Sequence, residues 1–233
     1  MIFIPSWIQH HAIFFVLIHK GDIAALMLCF STEHISISLT SLNSMGYMQP
    51  EYGALDGHHT CFIAVSLDGY IARQDGDIDW LVQRDDPTED HGYAAFIADK
   101  DWIVMGRGSY EKALTFDEWP YDRPVLVLSR QLTGTSVPEA LKAKVQFSCR
   151  TPREVLADLT EQNAHRVYID GGQVIQSFLR EGLVADIVIT TVPVLLGSGK
   201  PLFGSLSRDI DLTLLSSRSF PSGLVQSHYR LTS

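Results

Sequence analysis

Val104-Met105-Gly106-Arg107-Gly108-Ser109-Tyr110-Glu111 changes character twice within eight residues. The apolar run Trp102 to Met105 reads as a buried strand, and Gly106 breaks it. A short helix over Ser109 to Leu114 follows. A glycine at a strand end lets a ligand approach the backbone closely. Arg107 and the Ser109 hydroxyl then stand beside the free N–H groups of a helix start, an arrangement that suits a phosphate. Read alone, Arg107 is more often a surface charge. What decides the fold is whether this strand–glycine–helix unit recurs.

It does recur. Arg166 to Ile169 is a strand, Asp170-Gly171-Gly172 follows, and a helix runs to about Glu181 before Gly182 stops it. Pro124 to Leu128 is a strand that ends in Ser129-Arg130. Cys61 to Leu67 is a buried strand ended by Asp68-Gly69. Thr88 to Ala98 reads as a helix with Thr88 as N-cap and Tyr93, Phe96 and Ile97 on the apolar face. Thr151-Pro152 opens another helix to about Gln162, with proline at the first helical position. Val145 to Ser148 and the β-branched run Asp186 to Val192 are strands. Leu212 to Ser216 and Leu224 to Leu231 make a closing hairpin. About eight strands with about four helices between them specify an α/β domain with a mainly parallel sheet and an antiparallel terminal pair. Ligands of such sheets bind beyond the carboxyl ends of the strands. A lone diglycine is also a simple turn. Two cationic loops and a glycine-rich helix start at one sheet edge together favour an anionic dinucleotide. No GxGxxG or GxxxxGK[ST] occurs, so neither the Rossmann nor the P-loop signature applies.

Composition divides the chain. Of 233 residues, 45% are hydrophobic and 19% charged, with a net charge of −9. An acidic chain has no general attraction for nucleic acid. Residues 1–60 carry only Lys20, Asp22, Glu33, Glu51 and Asp56 as charges, and six of the nine histidines. The apolar runs 12–18 and 23–30 are separated by His19, Lys20, Gly21 and Asp22, so neither reaches the roughly 20 residues of a membrane span. No basic n-region precedes them, as a signal peptide requires. Residues 1–60 are expected to be an atypical apolar extension, non-native or disordered. Met45 and Met48 are later starts. A weak membrane-associating hairpin and a genuine folded addition stay open. His58-His59 reads as a polar loop rather than a metal site. Cys29, Cys61 and Cys149 fit neither a disulfide framework nor zinc, which favours a reducing cytoplasm.

Gly106-Arg107-x-Ser109-Tyr110-Glu111 after Val104-Met105 resembles the cofactor motif of dihydrofolate reductases, and Asp170-Gly171-Gly172 resembles that fold's second cofactor loop. Pro193-Val194-Leu195-Leu196-Gly197-Ser198-Gly199-Lys200-Pro201-Leu202-Phe203 is similar to the loop of the riboflavin-biosynthesis reductase domain, the RibD C-terminal type. Ala64 to Ala72 and Asp77-Ile78-Asp79-Trp80-Leu81 fit its stand-alone bacterial members. The resemblance runs from about residue 61 to 231. It implies a three-layer α/β/α domain over 61–233 and an NADPH-dependent reductase of a small heterocyclic or carbonyl substrate. A non-catalytic nucleotide-binding module on the same fold is the alternative. By the same resemblance, Arg107 and Ser109 meet the cofactor's phosphates after Gly106, and Ser129 with Arg130 meets the 2′-phosphate side. Asp170, Gly171, Gly172, Gln173 and Val174 form the second cofactor loop, and Ala64 and Ile71 flank the nicotinamide. Leu196, Gly197, Gly199, Pro201, Leu202 and Phe203 lie beside the substrate. In dihydrofolate reductases the paired glycines are joined by a cis peptide. The proton donor is expected among Asp79, Asp85 and Asp86, with Asp79 and Asp85 preferred. No folate-binding arginine is evident, and residues 1–60 hold no H-x-E or P-C-x-x-C deaminase signature. The family implies a cytoplasmic protein, a possible homodimer, no metal, no nucleic acid and no membrane contact for the domain.

Overall fold

The computed structural model describes residues 59–84, 86 and 88–232, together with the backbone of 15–19, 22–28 and 37–38. The chain divides into two compact units. In the smaller one, β1 (Phe15–His19), β2 (Asp22–Leu28) and β3 (Ile37–Ser38) form an antiparallel sheet in that order. The two apolar runs of the N-terminal segment thus supply the arms of a hairpin, with Phe15 opposite Leu26. No helix of the described residues is long and apolar enough to cross a membrane.

The larger unit is built on an eight-stranded sheet. Its strands are β4 (His59–Ser66), β6 (Trp102–Gly106), β7 (Val125–Leu128), β8 (Val145–Ser148), β9 (Val167–Asp170), β10 (Asp186–Val192), β12 (Asp211–Ser219) and β13 (Val225–Thr232). The order is β12-β13-β10-β4-β9-β6-β7-β8. Pairing is parallel from β10 through β8 and antiparallel where β13 joins β10 and β12. A two-stranded ribbon, β5 (Tyr70–Ala72) with β11 (Lys200–Pro201), lies outside it. The helices are α1 (Asp79–Val82), α2 (Tyr93–Ala98), α3 (Arg107–Ala113), α4 (Pro152–Glu161) and α5 (Gly172–Arg180).

Strand order places the helices. The crossovers through α2 and α3 advance toward β8, whereas those through α4 and α5 return toward β10. Right-handed crossovers run in opposite senses put their helices on opposite faces, which gives the three layers. The α2 layer docks through Phe96, whose ring lies 4.8 Å from Phe62 and 5.1 Å from Tyr168. Tyr110 of α3 meets Phe147 on the same face at 5.4 Å. Ile63, Ile103, Val104, Val125, Ile169 and Phe178 are fully buried in the core. A capping box opens α4: Thr151 Oγ1 accepts from the Glu154 N–H and the Glu154 carboxylate accepts from the Thr151 N–H.

Helix α2 starts five residues later than its sequence suggests. Thr88 does not cap it, because its N–H and hydroxyl both donate to Asp86. Glu89 accepts from the N–H and hydroxyl of Ser222, and Asp90 accepts from the Gly92 N–H. These oxygens fasten a loop to the terminal hairpin. Gly92, with φ of +77°, then turns the chain into the helix. Cys61 is buried, and its burial raises the thiol's pKa, whereas Cys149 is exposed just after β8. Both are free.

At the amino edge of the sheet, Lys100 is almost fully buried, with Nζ 4.6 Å from the centre of the Phe96 ring and 3.3 Å from Asp99 Oδ2. Burial lowers its pKa to about 8, against partial compensation from Asp186 and Asp101. Its unfolded value is 10.5. Between pH 8 and 10.5 the unfolded chain therefore holds a proton that the folded one lacks, and stability rises with pH. Lys100→Met is expected to stabilise the fold by about 1–3 kcal/mol at pH 7. The gain shrinks as pH rises to 10, as urea unfolding at several pH values would show. A pH-independent difference would contradict the burial account.

Candidate active site

Three glycines gather at the carboxyl edge of the sheet, and at two of them, Gly171 and Gly172, a Cβ would collide with its neighbours. A Cβ on Gly171 would lie 2.7 Å from Ser109 Oγ and 3.7 Å from the Gly106 nitrogen. One on Gly172 would lie 2.9 Å from both Ile71 Cδ1 and the Pro201 carbonyl oxygen, and one on Gly106 3.3 Å from Val174 Cγ2. The ends of β6 and β9 and the starts of α3 and α5 thus meet backbone to backbone, with the β5–β11 ribbon pressed against Gly172. The ends of β6 and β9 are parallel neighbours, with Met105 opposite Asp170. The Gly171–Gly172 peptide is trans, as are all described peptide bonds, so the cis linkage found in dihydrofolate reductases is not reproduced. Gly171 makes the turn through φ of +85° and ψ of 136° instead.

The residues expected at the cofactor site divide. Gly106, Ser109, Gly171, Gly172, Val174 and Ile71 converge as described. Ala64 is buried within β4, and Gln173 is exposed on α5. Asp170 is buried, and its Oδ1 accepts from the Tyr168 hydroxyl at 3.1 Å, so it secures the strand end from within. Arg107 is half-exposed, and its Nη1 donates to Glu111 Oε1 at 2.8 Å, one helical turn on. Ser129 Oγ accepts from the N–H groups of Gln131 and Leu132 at 3.2 Å, which caps the turn that presents Arg130 to solvent.

The loop from Pro193 to Phe203 is clamped to the first loop. The Leu67 N–H donates to the Val194 carbonyl, and the Leu202 N–H to the Gly69 carbonyl. Asp68 accepts from the Ser66 hydroxyl at 2.6 Å, the Leu196 N–H at 3.1 Å and the Gly197 N–H at 2.7 Å. The Ser66 hydroxyl is the largest cause holding its carboxyl below the usual range; burial opposes it, and the Gly197 and Leu196 amides lower it further. Gln74 donates to the Gly199 carbonyl, and Gln176 of α5 donates to the carbonyls of Pro201 and Leu202. Gly199 is buried against the Ala72 carbonyl, and Leu202 is buried as well. Leu196 is partly buried, and Gly197, Pro201 and Phe203 are exposed.

Asp79 stands at the start of α1 with Arg73 Nε donating to Oδ1 at 2.9 Å and its own following amide, Trp80 N–H, donating at 2.7 Å. The Arg73 contact lowers its pKa, so it is a carboxylate and not a carboxylic acid at neutral pH. Asp86 is likewise lowered, by the N–H and hydroxyl of Thr88. Asp85 lies outside the described residues. The expectation that Asp79 serves as an acid meets this physical obstacle: a proton donor needs a pKa near the working pH. The loop carrying Asp79 still borders the site, since Asp77 pairs with Lys112 of α3 at 3.7 Å and Gly76 lies against Lys200 Nζ. Asp68, Gln74, Gln176, Lys112 and Lys200 were not singled out from the sequence. Gln176 had a legible signal: it lies one helical turn after Gly172, on the side that meets the ribbon.

The strand–glycine–helix units at the carboxyl edge of a three-layer α/β sheet mark the candidate site, and comparison with known proteins narrows the class. The model of the RibD C-terminal domain matches residues 58–226, and the chain belongs to that family. The protein YwjB of Bacillus subtilis (strain 168) is 36% identical over 173 residues, which cover 72% of this chain and 94% of YwjB. Among solved structures, a protein assigned to riboflavin biosynthesis in Shewanella sp. PV-4 is 39% identical with a TM-score of 0.71, over 76% of this chain and 99% of the other. A dihydrofolate reductase from Enterococcus faecalis complexed with NADP(H) shares the fold at 15% identity and a TM-score of 0.52, over 76% and 98%. The fold is therefore dihydrofolate-reductase-like, and the family is of reductase type.

Proposed function

We propose that this chain is an NADPH-dependent reductase of a small heterocyclic or carbonyl compound, related to the riboflavin-pathway reductases. The observation that carries the reading is the close meeting of two helix starts at the sheet edge, where a Cβ on Gly171 would collide with Ser109 Oγ and one on Gly172 with Ile71 Cδ1 and the Pro201 carbonyl oxygen. Side-chain-free backbone at two neighbouring helix starts suits the oxygens of a pyrophosphate. NADPH fits it by chemistry: free amides at the starts of α3 and α5 and the Ser109 hydroxyl meet phosphate oxygens, and Ile71 offers an apolar flank to the nicotinamide. Arg107 and Arg130 supply local positive charge on an acidic domain. When bound, NADPH supplies the hydride. The ribbon and the Leu196–Phe203 loop cover the substrate side and exclude water, fastened by Asp68, Gln74 and Gln176. Asp79 holds Arg73 just after β5, and Asp85 is the carboxyl we assign to proton delivery. The protein is read as a cytoplasmic enzyme acting on a small-molecule substrate.

Arg107→Ala is expected to weaken NADPH by about tenfold more than NADH, which lacks the extra phosphate. A charge-assisted contact is worth roughly 1.5–3 kcal/mol, and the Glu111 pairing that must be exchanged keeps the effect at the low end. Titrations monitored by tryptophan fluorescence would show it. Equal losses for the two cofactors would move Arg107 to the pyrophosphate.

A further inference from the structure

We propose that the Tyr121 hydroxyl is a substrate-recognition group, a buried donor for a neutral carbonyl oxygen on a flat ring. The proposal rests on the reading of the glycine cradle, Gly106, Gly171 and Gly172, as the cofactor site, and it names the class of compound reduced beside it. Tyr121 is 1% exposed, yet its hydroxyl has no hydrogen-bond partner among the described residues. Almost all buried polar groups in proteins are paired, and an exception calls for a reason. Phenylalanine would fill the same space without the cost of stripping a hydroxyl of water. Tyrosine at this position is explained by a bond that forms only when a ligand arrives.

The strand register places this hydroxyl near the glycines. β4 and β10 stay paired as far as Ser66 and Val192. β9 stops at Asp170, one residue beyond the pairing of Ile169 with Cys61. Ile63 to Ser66 therefore overhang the end of β9, and Asp170 and Gly171 stand at the foot of that step. Asp170 shares a face of the sheet with Tyr168, which meets Phe96 of α2. Burial pushes the Tyr121 hydroxyl well above its ordinary pKa, and Asp170 and Tyr93 of α2 lie close enough to add to the effect. The Trp119 ring, 5.3 Å from that of Tyr121, leans on Tyr110 of α3 at 6.0 Å. Tyr121 thus lies on the face covered by α2 and α3, and α3 carries Ser109 of the cradle.

The surroundings define the ligand. A phenol kept neutral by burial offers its proton in a hydrogen bond and does not release it. Trp119 Nε1 is a second buried donor with no partner among the described residues. The neighbouring Tyr168 hydroxyl is by contrast engaged, 2.9 Å from the Phe62 carbonyl oxygen and 3.1 Å from Asp170 Oδ1. The Asp170 carboxylate repels a second anion at close range, so the acceptor that fits is neutral. The side chains around the hydroxyl, Tyr93, Trp119 and Tyr168, are aromatic, which suits a planar ring. A neutral ring carbonyl meets each condition.

Tyr121→Phe in the full chain tests this. Without ligand the variant is expected to melt about 2–4 °C higher, because an unpaired hydroxyl is removed. With NADP+ present, uracil, a neutral ring bearing carbonyls, is expected to bind the wild type in a calorimetric titration and the variant about five- to tenfold more weakly. Pyrimidine, which has no carbonyl, should not distinguish the two proteins. A lower melting temperature in the variant would show a hydroxyl that serves the fold and would overturn the proposal. So would equal uracil affinities, the result for a hydroxyl that bonds only an internal water, or no uracil binding to the wild type. NADPH affinity should be the same in both proteins. A wild type that does not bind NADPH would sink the cofactor reading instead, and the melting shift and a uracil titration without cofactor would still decide the role of Tyr121.

Discussion

Gly171→Ala is expected to lower NADPH affinity by roughly 100-fold while the sheet stays folded. Two costs add at one atom. With φ of +85°, an L side chain at Gly171 occupies a sparsely populated backbone region, at about 1–3 kcal/mol. The new Cβ would also stand 2.7 Å from Ser109 Oγ, so the hydroxyl assigned to a phosphate must rotate away or α3 must retreat from α5. Each 1.4 kcal/mol is about a tenfold change in affinity. The loss should be similar for NADPH and NADH, because the proposed site sets the pyrophosphate, which both share, against Gly171. Ser109→Ala combined with Gly171→Ala should recover part of it by removing the clash and leaving the backbone strain. Unchanged affinity in Gly171→Ala would remove Gly171 from the cofactor site.

Gly199→Ala is expected to abolish turnover, by more than about 100-fold in kcat/KM, while NADPH still binds. Its Cβ would lie 2.3 Å from the Ala72 carbonyl oxygen and 3.1 Å from Tyr70 Cβ. The oxygen belongs to the backbone of β5, so no rotamer relieves the contact, and β11 must separate from β5. That separation strains the Asp68 contacts to Leu196 and Gly197 and those of Gln176 to Pro201 and Leu202. A misplacement of about 1 Å can cost 100-fold in rate. The split between the two glycines is informative: Gly171 reports on cofactor binding and Gly199 on the substrate loop. Full activity in Gly199→Ala would place the loop outside the reaction.

Most of the sheet was legible because its signals are local. Asp186–Val192 keeps its expected bounds, since a β-branched run between a helix stop and Pro193 has no competing structure. Helix α4 begins where Thr151-Pro152 says it should, because both halves of its cap are within four residues. The start of α2 was not legible. Thr88, Glu89 and Asp90 look like a first turn, but their oxygens are used by Asp86, Ser222 and Gly92, and Ser222 is 133 residues away in sequence. The four-residue α1 and the β5–β11 ribbon are too short to show a period and depend on contacts between distant loops. The candidate site follows the same division. Its glycines announce themselves, because only glycine survives a close backbone approach. The clamp through Asp68, Gln74 and Gln176 joins residues more than 100 apart for the first two, so no spacing rule reveals it. The charge state of Asp79 was hidden for a similar reason: Arg73 reads as one more loop cation until the fold brings its Nε onto the carboxylate.

The central claim is that the carboxyl-edge cradle is an NADPH site. Titration of the full chain with NADPH by isothermal calorimetry, beside Gly171→Ala, tests it most directly. The account predicts saturable one-to-one binding well below millimolar cofactor, and a large loss in the variant. Absence of binding at millimolar NADPH, or binding equally tight in Gly171→Ala, would contradict it.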